Sequence, residues 1–154
     1  MNDAARKSGL GRRLVAAAID FVVVGVAGLV LVITIGAFED AEDYAGNILA
    51  RIVAFGFLTY FLVNGLPLWR RSQTVGKALL GLVVVAAGTQ TRAPLWRLVA
   101  RAPFFMALYG VFLGWPGLIA LVDQGFIFGA KRRCLHDLIC GTEVVRRDGL
   151  RMTA

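Results

Sequence analysis

A single carboxylate, Asp20, lies inside the apolar run 14–37, and it constrains the fold more than any other residue. The run is long enough to span a bilayer as a helix, and Asp20 is its only ionisable side chain. A charge in a membrane span costs about 2.5–3.5 kcal/mol on insertion scales, so such residues usually face a protein interior or water and have a partner. Arg13 lies seven residues earlier, close to two full helical turns, so the two residues share a helix face. The pattern predicts a membrane-spanning helix with a polar contact on one side.

Composition and the placement of charge also indicate a membrane protein. The chain has 154 residues, of which 58% are hydrophobic, more than a soluble domain usually carries. Its net charge of +7 does not indicate nucleic-acid binding, because the basic residues flank the apolar runs and no base-reading motif is present. The first apolar run is too long for a signal peptide, so we expect a retained span. The expected partner is the lipid bilayer, and no nucleic acid is expected.

A second apolar stretch, residues 48–69, predicts a second full span. Tyr60 and Asn64 lie four residues apart on one face of it, where they either hydrogen-bond to neighbouring helices or line a ligand path. The basic segment that follows contains a short helix signal at 73–81 and a β-branched strand signal at 82–86. Residues 142–147 alternate in the manner of another strand, so the two segments can pair as a small cytoplasmic sheet.

The third hydrophobic region, residues 102–122, is uncharged and long enough for one crossing. One crossing would place the basic segment 131–133 on the side opposite to Arg70 and Arg71, against the rule that short basic loops stay in the cytoplasm. Glycine and proline at 114–117 would break a helix near the middle of the region. We therefore expect a helical hairpin that returns the chain, either fully spanning or re-entrant.

Together these signals predict an all-α membrane protein. Its architecture is a helical bundle of two full spans plus a Pro/Gly-broken helical hairpin, with room for a small cytoplasmic two-stranded sheet. Residues 10–147 form the transmembrane domain, and residues 1–9 and 148–154 are short cytoplasmic tails. We expect a multi-pass protein of the inner cell membrane with both termini in the cytoplasm.

The two cysteines, Cys134 and Cys140, lie in a basic segment that we expect to face the cytoplasm, where thiols stay reduced, so no disulfide is expected. With His136 they offer three zinc ligands but no evident fourth, and we expect no metal and no cofactor. His136 and Asp137 are neighbours that point apart on a helix, and the chain carries no recognised catalytic motif. We therefore expect no enzymatic activity.

Residues 13–20, residues 74–84, Arg101 and residues 131–145 occur in an order that resembles the RDD family of integral membrane proteins, named for one arginine and two aspartates. Residues 13–20 resemble the opening of that family, with Arg13 at the start of the first span and Asp20 inside it. Residues 74–84, which include Lys77, resemble its Thr-Leu-Gly-Lys-x-Leu-Leu-Gly segment.

The later part of the chain continues the resemblance. Arg101 resembles the arginine that opens the family's third hydrophobic region, and residues 131–145, with His136 and Asp137, resemble its ending. Asp123 and Asp137 compete for the place of the second aspartate; we favour Asp123 as the intramembrane group and Asp137 as a structural cytoplasmic one. The resemblance implies a membrane protein with a suggested role in transporting unidentified ligands, including cation–proton antiport for some members.

Two functions fit the charged residues; transport of an ion or small solute, with cation–proton exchange, is the favoured one, and a scaffold is the alternative. In the first, Asp20 and Asp123 lie near a polar path with Arg13 and Arg101 as counter-charges, and a carboxylate exchanges a proton for a cation. In the second, these four residues form a buried ionic network that fixes how the helices pack, and the protein is a scaffold or accessory subunit. The chain is small for a transporter, so a transport path calls for a homo-oligomer or a membrane partner protein.

Overall fold

The computed structural model describes residues 8–35, 48–89, 91–109, 122–123, 125–126 and 133–147. The predicted turn of the hairpin, most of the N-terminal tail and the C-terminal tail lie outside these residues. In chain order the elements are α1 (Leu10–Thr34), α2 (Ile48–Arg71), α3 (Val75–Leu79), β1 (Leu82–Ala86), α4 (Leu95–Val99), α5 (Ala102–Tyr109), α6 (Leu135–Ile139) and β2 (Thr142–Arg146). The described part is mostly helical, and the small two-stranded sheet that the sequence predicts is confirmed.

Helix α1 buries one narrow face and exposes much of its apolar surface. It begins at Leu10, before the predicted start at residue 14. Ala16, Asp20 and Val24 are buried and follow one another at intervals of about one turn. The exposed apolar side chains include Val22, Val26, Val30 and Ile33. An apolar surface of this kind indicates contact with lipid or with another apolar surface.

Helix α2 occupies the predicted position of the second span, and Pro67 lies inside it without ending it. Tyr60, Asn64 and Leu68 are buried and lie on one face, at intervals of four residues. Leu62 and Leu66 on another face are exposed. A helix is therefore present where the sequence predicts one, and its crossing of a membrane stays a prediction.

Two short segments of the chain have the same design, and we name them the first unit (α3 with β1) and the second unit (α6 with β2). In each, a helix of five residues is followed by a glycine with positive φ and then by a strand of five residues. The glycines are Gly81, with φ of 65°, and Gly141, with φ of 60°, a conformation that costs glycine little. Every residue of the second unit carries the number of its counterpart plus 60.

The two units are related by a local two-fold axis. Their strands pair antiparallel, and Val84 lies opposite Val144, which is its own counterpart. Backbone hydrogen bonds beyond the strand ends follow the same two-fold symmetry. The N–H of Arg147 donates to the carbonyl of Gly81 at 2.8 Å, and the N–H of Ala87 donates to the carbonyl of Gly141 at 2.9 Å. The sheet thus joins two helix–strand units that are related by two-fold symmetry.

The core lies between this sheet and the helices. Leu82, Val84 and Val144 pack into one buried cluster with residues of the helices: Ala16, Val24, Tyr60, Leu68, Leu98 and Ala102. Alternate strand residues point to opposite faces, and Val83, Val85 and Val145 form a second, smaller cluster. Full burial of one such side chain stabilises by about 1.5–3 kcal/mol, so the first cluster holds the units firmly against the helices.

Candidate functional site

Asp20 binds the start of the first unit with both of its carboxylate oxygens. Oδ1 accepts a hydrogen bond from the backbone N–H of Gly76 at 2.7 Å, and Oδ2 accepts one from the Thr74 hydroxyl at 2.5 Å. The residue is 1% exposed. Hydrogen bonds to a charged group contribute roughly 1.5–3 kcal/mol, and a carboxylate is favoured at a helix N-terminus. Asp20 therefore fastens helix α1 to the first unit.

Helix α1 approaches the first unit too closely for any side chain at Gly76. A Cβ atom there would clash with the backbone oxygen of Ala16 and lie 3.0 Å from Cγ of Asp20. From the other side, Oδ1 of Asn64 on helix α2 accepts a hydrogen bond from the backbone N–H of Val75 at 2.9 Å. Nδ2 of Asn64 is buried and has no hydrogen-bond partner within the described part of the chain. The first unit is thus held between the two long helices.

Asp123 binds the start of the second unit in the same manner. Its Oδ1 accepts a hydrogen bond from the backbone N–H of His136 at 2.7 Å, and its Oδ2 lies 2.7 Å from Nδ1 of the same residue. His136 is the counterpart of Gly76, so Asp20 and Asp123 bind equivalent N–H groups of units related by the two-fold axis. Asp123 is also 1% exposed.

Arg101, immediately before helix α5, lies against the polar side of the second unit. Its guanidinium forms a salt bridge with Asp137 at 2.9 Å and donates to the hydroxyl of Thr142 at 3.1 Å. Thr142 in turn donates to Asp137 at 3.0 Å. Arg101 and Asp137 are both buried. Removing one partner of such a pair leaves the other charge buried and unpaired, so this pair is a strong structural element.

His136 connects this salt bridge to Asp123. Its Nε2 lies 2.9 Å from a guanidinium nitrogen of Arg101 and 3.6 Å from Oδ1 of Asp137. A guanidinium only donates hydrogen bonds, so the contact with Arg101 favours an unprotonated Nε2 and a proton on Nδ1, where it faces Asp123. The imidazole therefore lies between two buried carboxylates and one guanidinium.

Arg13 ties helix α1 to the second unit. Its Nη2 donates to the backbone oxygen of Val144 at 2.6 Å, and its Nε donates to the hydroxyl of Ser8 at 2.5 Å. Ser8 itself donates to the same oxygen of Val144 at 3.3 Å. Arg13 and Asp20 thus connect one helix to two different units.

Lys77 and Tyr60 complete the residues that the sequence analysis singles out. The Lys77 ammonium lies 3.4 Å from the Thr74 hydroxyl. Burial lowers the pKa of Lys77, nearby Arg101 lowers it further, and the surrounding carboxylates act in the opposite direction. Tyr60 is buried in the core, where its ring packs against Phe105 at a centroid distance of 5.0 Å.

Asp137 and Cys134, both in the second unit, have displaced pKa values. Burial raises the pKa of Asp137, but Arg101, His136 and a hydrogen bond outweigh that effect, so the pKa lies below its ordinary value. Burial, together with nearby Asp137, raises the pKa of Cys134 to about 12. At neutral pH Asp137 is therefore ionised and Cys134 is a neutral thiol.

Three side chains around the second unit offer atoms of the kinds that bind metals. A carboxylate oxygen of Asp123, Sγ of Cys134 and an imidazole nitrogen of His136 all lie within 4.8 Å of one another. The three possible zinc ligands named in the sequence analysis were Cys134, His136 and Cys140, so the structure replaces Cys140 with Asp123. Both cysteines are buried, and they form no disulfide with each other.

The structure divides the predicted charged residues between the two units. Asp20 contacts the first unit, whereas Arg13, Arg101 and Asp123 contact the second. Within the described ranges Asp20 forms no salt bridge, and Arg101 pairs with Asp137. The matching roles of Asp20 and Asp123 escaped the sequence analysis. The signal that indicates them is the repeated Gly-x-x-Val-Val at 81–85 and 141–145.

These observations define a mostly helical protein with one candidate membrane span. Among the described residues, α1 is the one helix that is both long and apolar enough to cross a membrane, judged by length and composition. The model of the RDD family matches residues 7–141, and the chain belongs to this family of membrane proteins. The family that the sequence motifs indicate is thereby confirmed. Comparison with curated proteins and with solved structures finds no match.

Proposed function

We propose that this protein is a non-transporting membrane scaffold or accessory subunit whose arginine and aspartate network is structural. The observation that carries the proposal is the use of Asp20 and Asp123. Each carboxylate is buried and directs both oxygens at internal partners that hold a unit in place. A carboxylate engaged in this way would have to give up its structural hydrogen bonds each time it bound and released a cation.

The proposal includes a multi-pass topology. Helices α1 and α2 both cross the membrane, α5 begins the hairpin, and the paired units lie at the cytoplasmic face of the inner membrane with both termini. The basic residues that end α2, Arg70 and Arg71, support this orientation. We expect a C-terminal fusion to activate a cytoplasmic reporter and to leave a periplasmic reporter silent. The opposite result contradicts the hairpin.

Ion flux in liposomes separates a scaffold from a transporter. The purified protein is reconstituted, and proton movement is followed under Na⁺, K⁺ and Li⁺ gradients with the Asp20→Asn variant alongside. We expect no flux from either protein and a lower unfolding temperature for Asp20→Asn, because a structural hydrogen bond to a charge is lost. Wild-type flux that disappears in a folded Asp20→Asn protein would contradict the scaffold proposal.

Cation–proton exchange is the second candidate, and the position of His136 favours it. Its imidazole lies between the buried carboxylates of Asp123 and Asp137, where it can hold or release a proton as a cation leaves or arrives. This candidate requires wild-type flux whose pH dependence changes in His136→Gln.

A partner in the membrane is part of either proposal. Helix α1 leaves Val22, Val26 and Ile33 exposed, a surface that suits a second copy of the chain or another apolar helix. The mass of the protein in a native membrane extract tests this: a homo-oligomer or a larger complex is expected, and a monomer contradicts it.

A further inference from the structure

The second unit carries a thiol and an imidazole at positions where the first unit carries a hydroxyl and no side chain. In the first unit the equivalent positions hold Thr74 and Gly76, and the aspartate binds a hydroxyl and a backbone N–H. In the second unit they hold Cys134 and His136. Any residue except proline supplies the backbone N–H that Asp123 accepts. The thiol and the imidazole therefore add chemistry that the first unit lacks.

We propose that Asp123, Cys134 and His136 bind a divalent transition-metal ion, for which Zn²⁺ is the best fit. Their ligand atoms lie within 4.8 Å of one another. Zinc binds thiolate, imidazole and carboxylate at about 2.0–2.3 Å, which places the ligand atoms of a tetrahedral site about 3.3–3.8 Å apart. Shifts of about 1 Å in the side chains close this set on an ion. The fourth position is then open to water or another ligand.

The hydrogen bonds around His136 suit a metal ligand. An ion bound at Nδ1 replaces the proton that faces Asp123 and moves the ring proton to Nε2. Arg101 then gives up its 2.9 Å contact with Nε2 and keeps its contacts with Thr142 and Asp137. Oδ1 of Asp137 lies 3.6 Å from Nε2, so a small rotation lets it accept that N–H. Histidines that bind metals commonly donate their other ring N–H to a carboxylate, which fixes the tautomer and orients the ring.

The charge balance of the site also fits. Binding of the ion displaces the proton of the Cys134 thiol, which is released to solvent. The Asp123 carboxylate and the resulting thiolate then supply two negative charges to the two positive charges of the ion. Arg101 does not upset this balance, because it is paired with Asp137 at 2.9 Å. Asp123 and Cys134 are both buried, and a buried ion is tolerated where its charge is neutralised by its ligands.

Cobalt absorption spectroscopy on the full-length protein tests the site. The protein is purified in detergent, stripped of metal with a chelator, and titrated with Co²⁺ and then with Zn²⁺. We expect one ion per chain, a thiolate-to-cobalt charge-transfer band in the near ultraviolet, and loss of that band when Zn²⁺ displaces cobalt. A wild-type protein without this band overturns the proposal.

Two cysteine variants distinguish this site from the other possible ligand set, in which Cys140 takes the place of Asp123. Cys134→Thr places in the second unit the residue that the first unit carries at Thr74, so the fold is expected to survive, as circular dichroism will show. Its affinity for Co²⁺ is expected to fall at least about 100-fold, whereas Cys140→Ser keeps both affinity and spectrum. Wild-type affinity in Cys134→Thr, or loss of binding in Cys140→Ser, overturns the assignment.

The unfolding temperature provides a second measurement. Zn²⁺ is expected to raise the unfolding temperature of the wild type and of Cys140→Ser, and to leave Cys134→Thr unchanged, because an ion bound to the folded state stabilises it. Should Cys134→Thr fail to fold, His136→Gln takes its place with the same expectation. An equal rise in a ligand variant and in the wild type contradicts the site, whatever the outcome of the flux measurements.

Discussion

The two units of the sheet share one backbone design but are held in different ways. The first unit depends on close packing, because Gly76 lets helix α1 lie directly against it. The second unit depends on charge, because Arg101 and Asp137 form a buried salt bridge beside it and His136 joins that pair to Asp123. The comparison teaches that a short helix–strand unit can be fixed by packing or by ion pairing. It also places a thiol and an imidazole, which can bind a metal ion, in the second unit.

Removing the buried positive charge beside the second unit is expected to have the largest effect on stability. Arg101→Gln leaves Asp137 buried without its partner, so we expect the free energy of unfolding to fall by about 3–5 kcal/mol. Denaturant unfolding in detergent measures the loss. The matched control is Arg133→Gln, because the Arg133–Glu143 pair is more exposed (21% and 14%) than the Arg101–Asp137 pair (9% and 1%), so we expect a smaller loss. Equal losses of stability in the two variants would show that the second unit does not depend on the Arg101–Asp137 pair in particular.

The next largest loss of stability is expected when a side chain is placed where helix α1 packs against the first unit. In Gly76→Ala the new Cβ meets the backbone oxygen of Ala16, which cannot move aside as a side chain does. We expect a loss of about 2–3 kcal/mol in the same unfolding measurement. Gly65→Ala is the control, because a Cβ there has no heavy atom within 4 Å and alanine is the better helix former by about 1 kcal/mol. An unchanged stability of Gly76→Ala would show that packing does not hold the first unit.

The two aspartates provide a direct comparison of the units. Asp20→Asn and Asp123→Asn each weaken hydrogen bonds to a charged acceptor, and we expect each to cost about 1–3 kcal/mol. Because they act on different units, the double variant is expected to lose the sum of the two within about 0.5 kcal/mol. Thermal unfolding of the three variants measures this. A large departure from additivity would show that the units are coupled through the sheet.

The smallest expected effect is the pH dependence that Cys134 confers on the second unit. Its pKa is raised to about 12 in the folded protein, against about 8.5 for an ordinary cysteine in the unfolded chain. A raised pKa stabilises the folded state below the unfolded value, and this contribution is lost as the pH rises toward 12. We expect a loss of about 1–2 kcal/mol between pH 8 and pH 10 in denaturant unfolding. Cys134→Thr should flatten this part of the profile, and an unchanged slope in that variant contradicts the assignment.

Much of the local structure could be predicted from the sequence. The β-branched residues 82–86 and the alternating residues 142–146 form the strands that they indicate, and helix α2 covers the second apolar stretch. These predictions succeed because strand and helix signals depend on neighbouring residues. The two-fold relation between the units was also readable, as a repeated glycine and valine pattern, but it becomes meaningful only once the strands are seen to pair.

The sequence by itself determined the family, the apolar helix around Asp20, the short helix α3, the positions of the two strands, and their pairing in the small sheet. Only the tertiary structure decided what each charge contacts: Asp20 with a backbone N–H distant in sequence, and Arg101 with Asp137. The physical reason is that a buried charge specifies that a partner must exist but not which one. The partner depends on how segments far apart in the chain pack, and on a close approach such as the one that Gly76 permits.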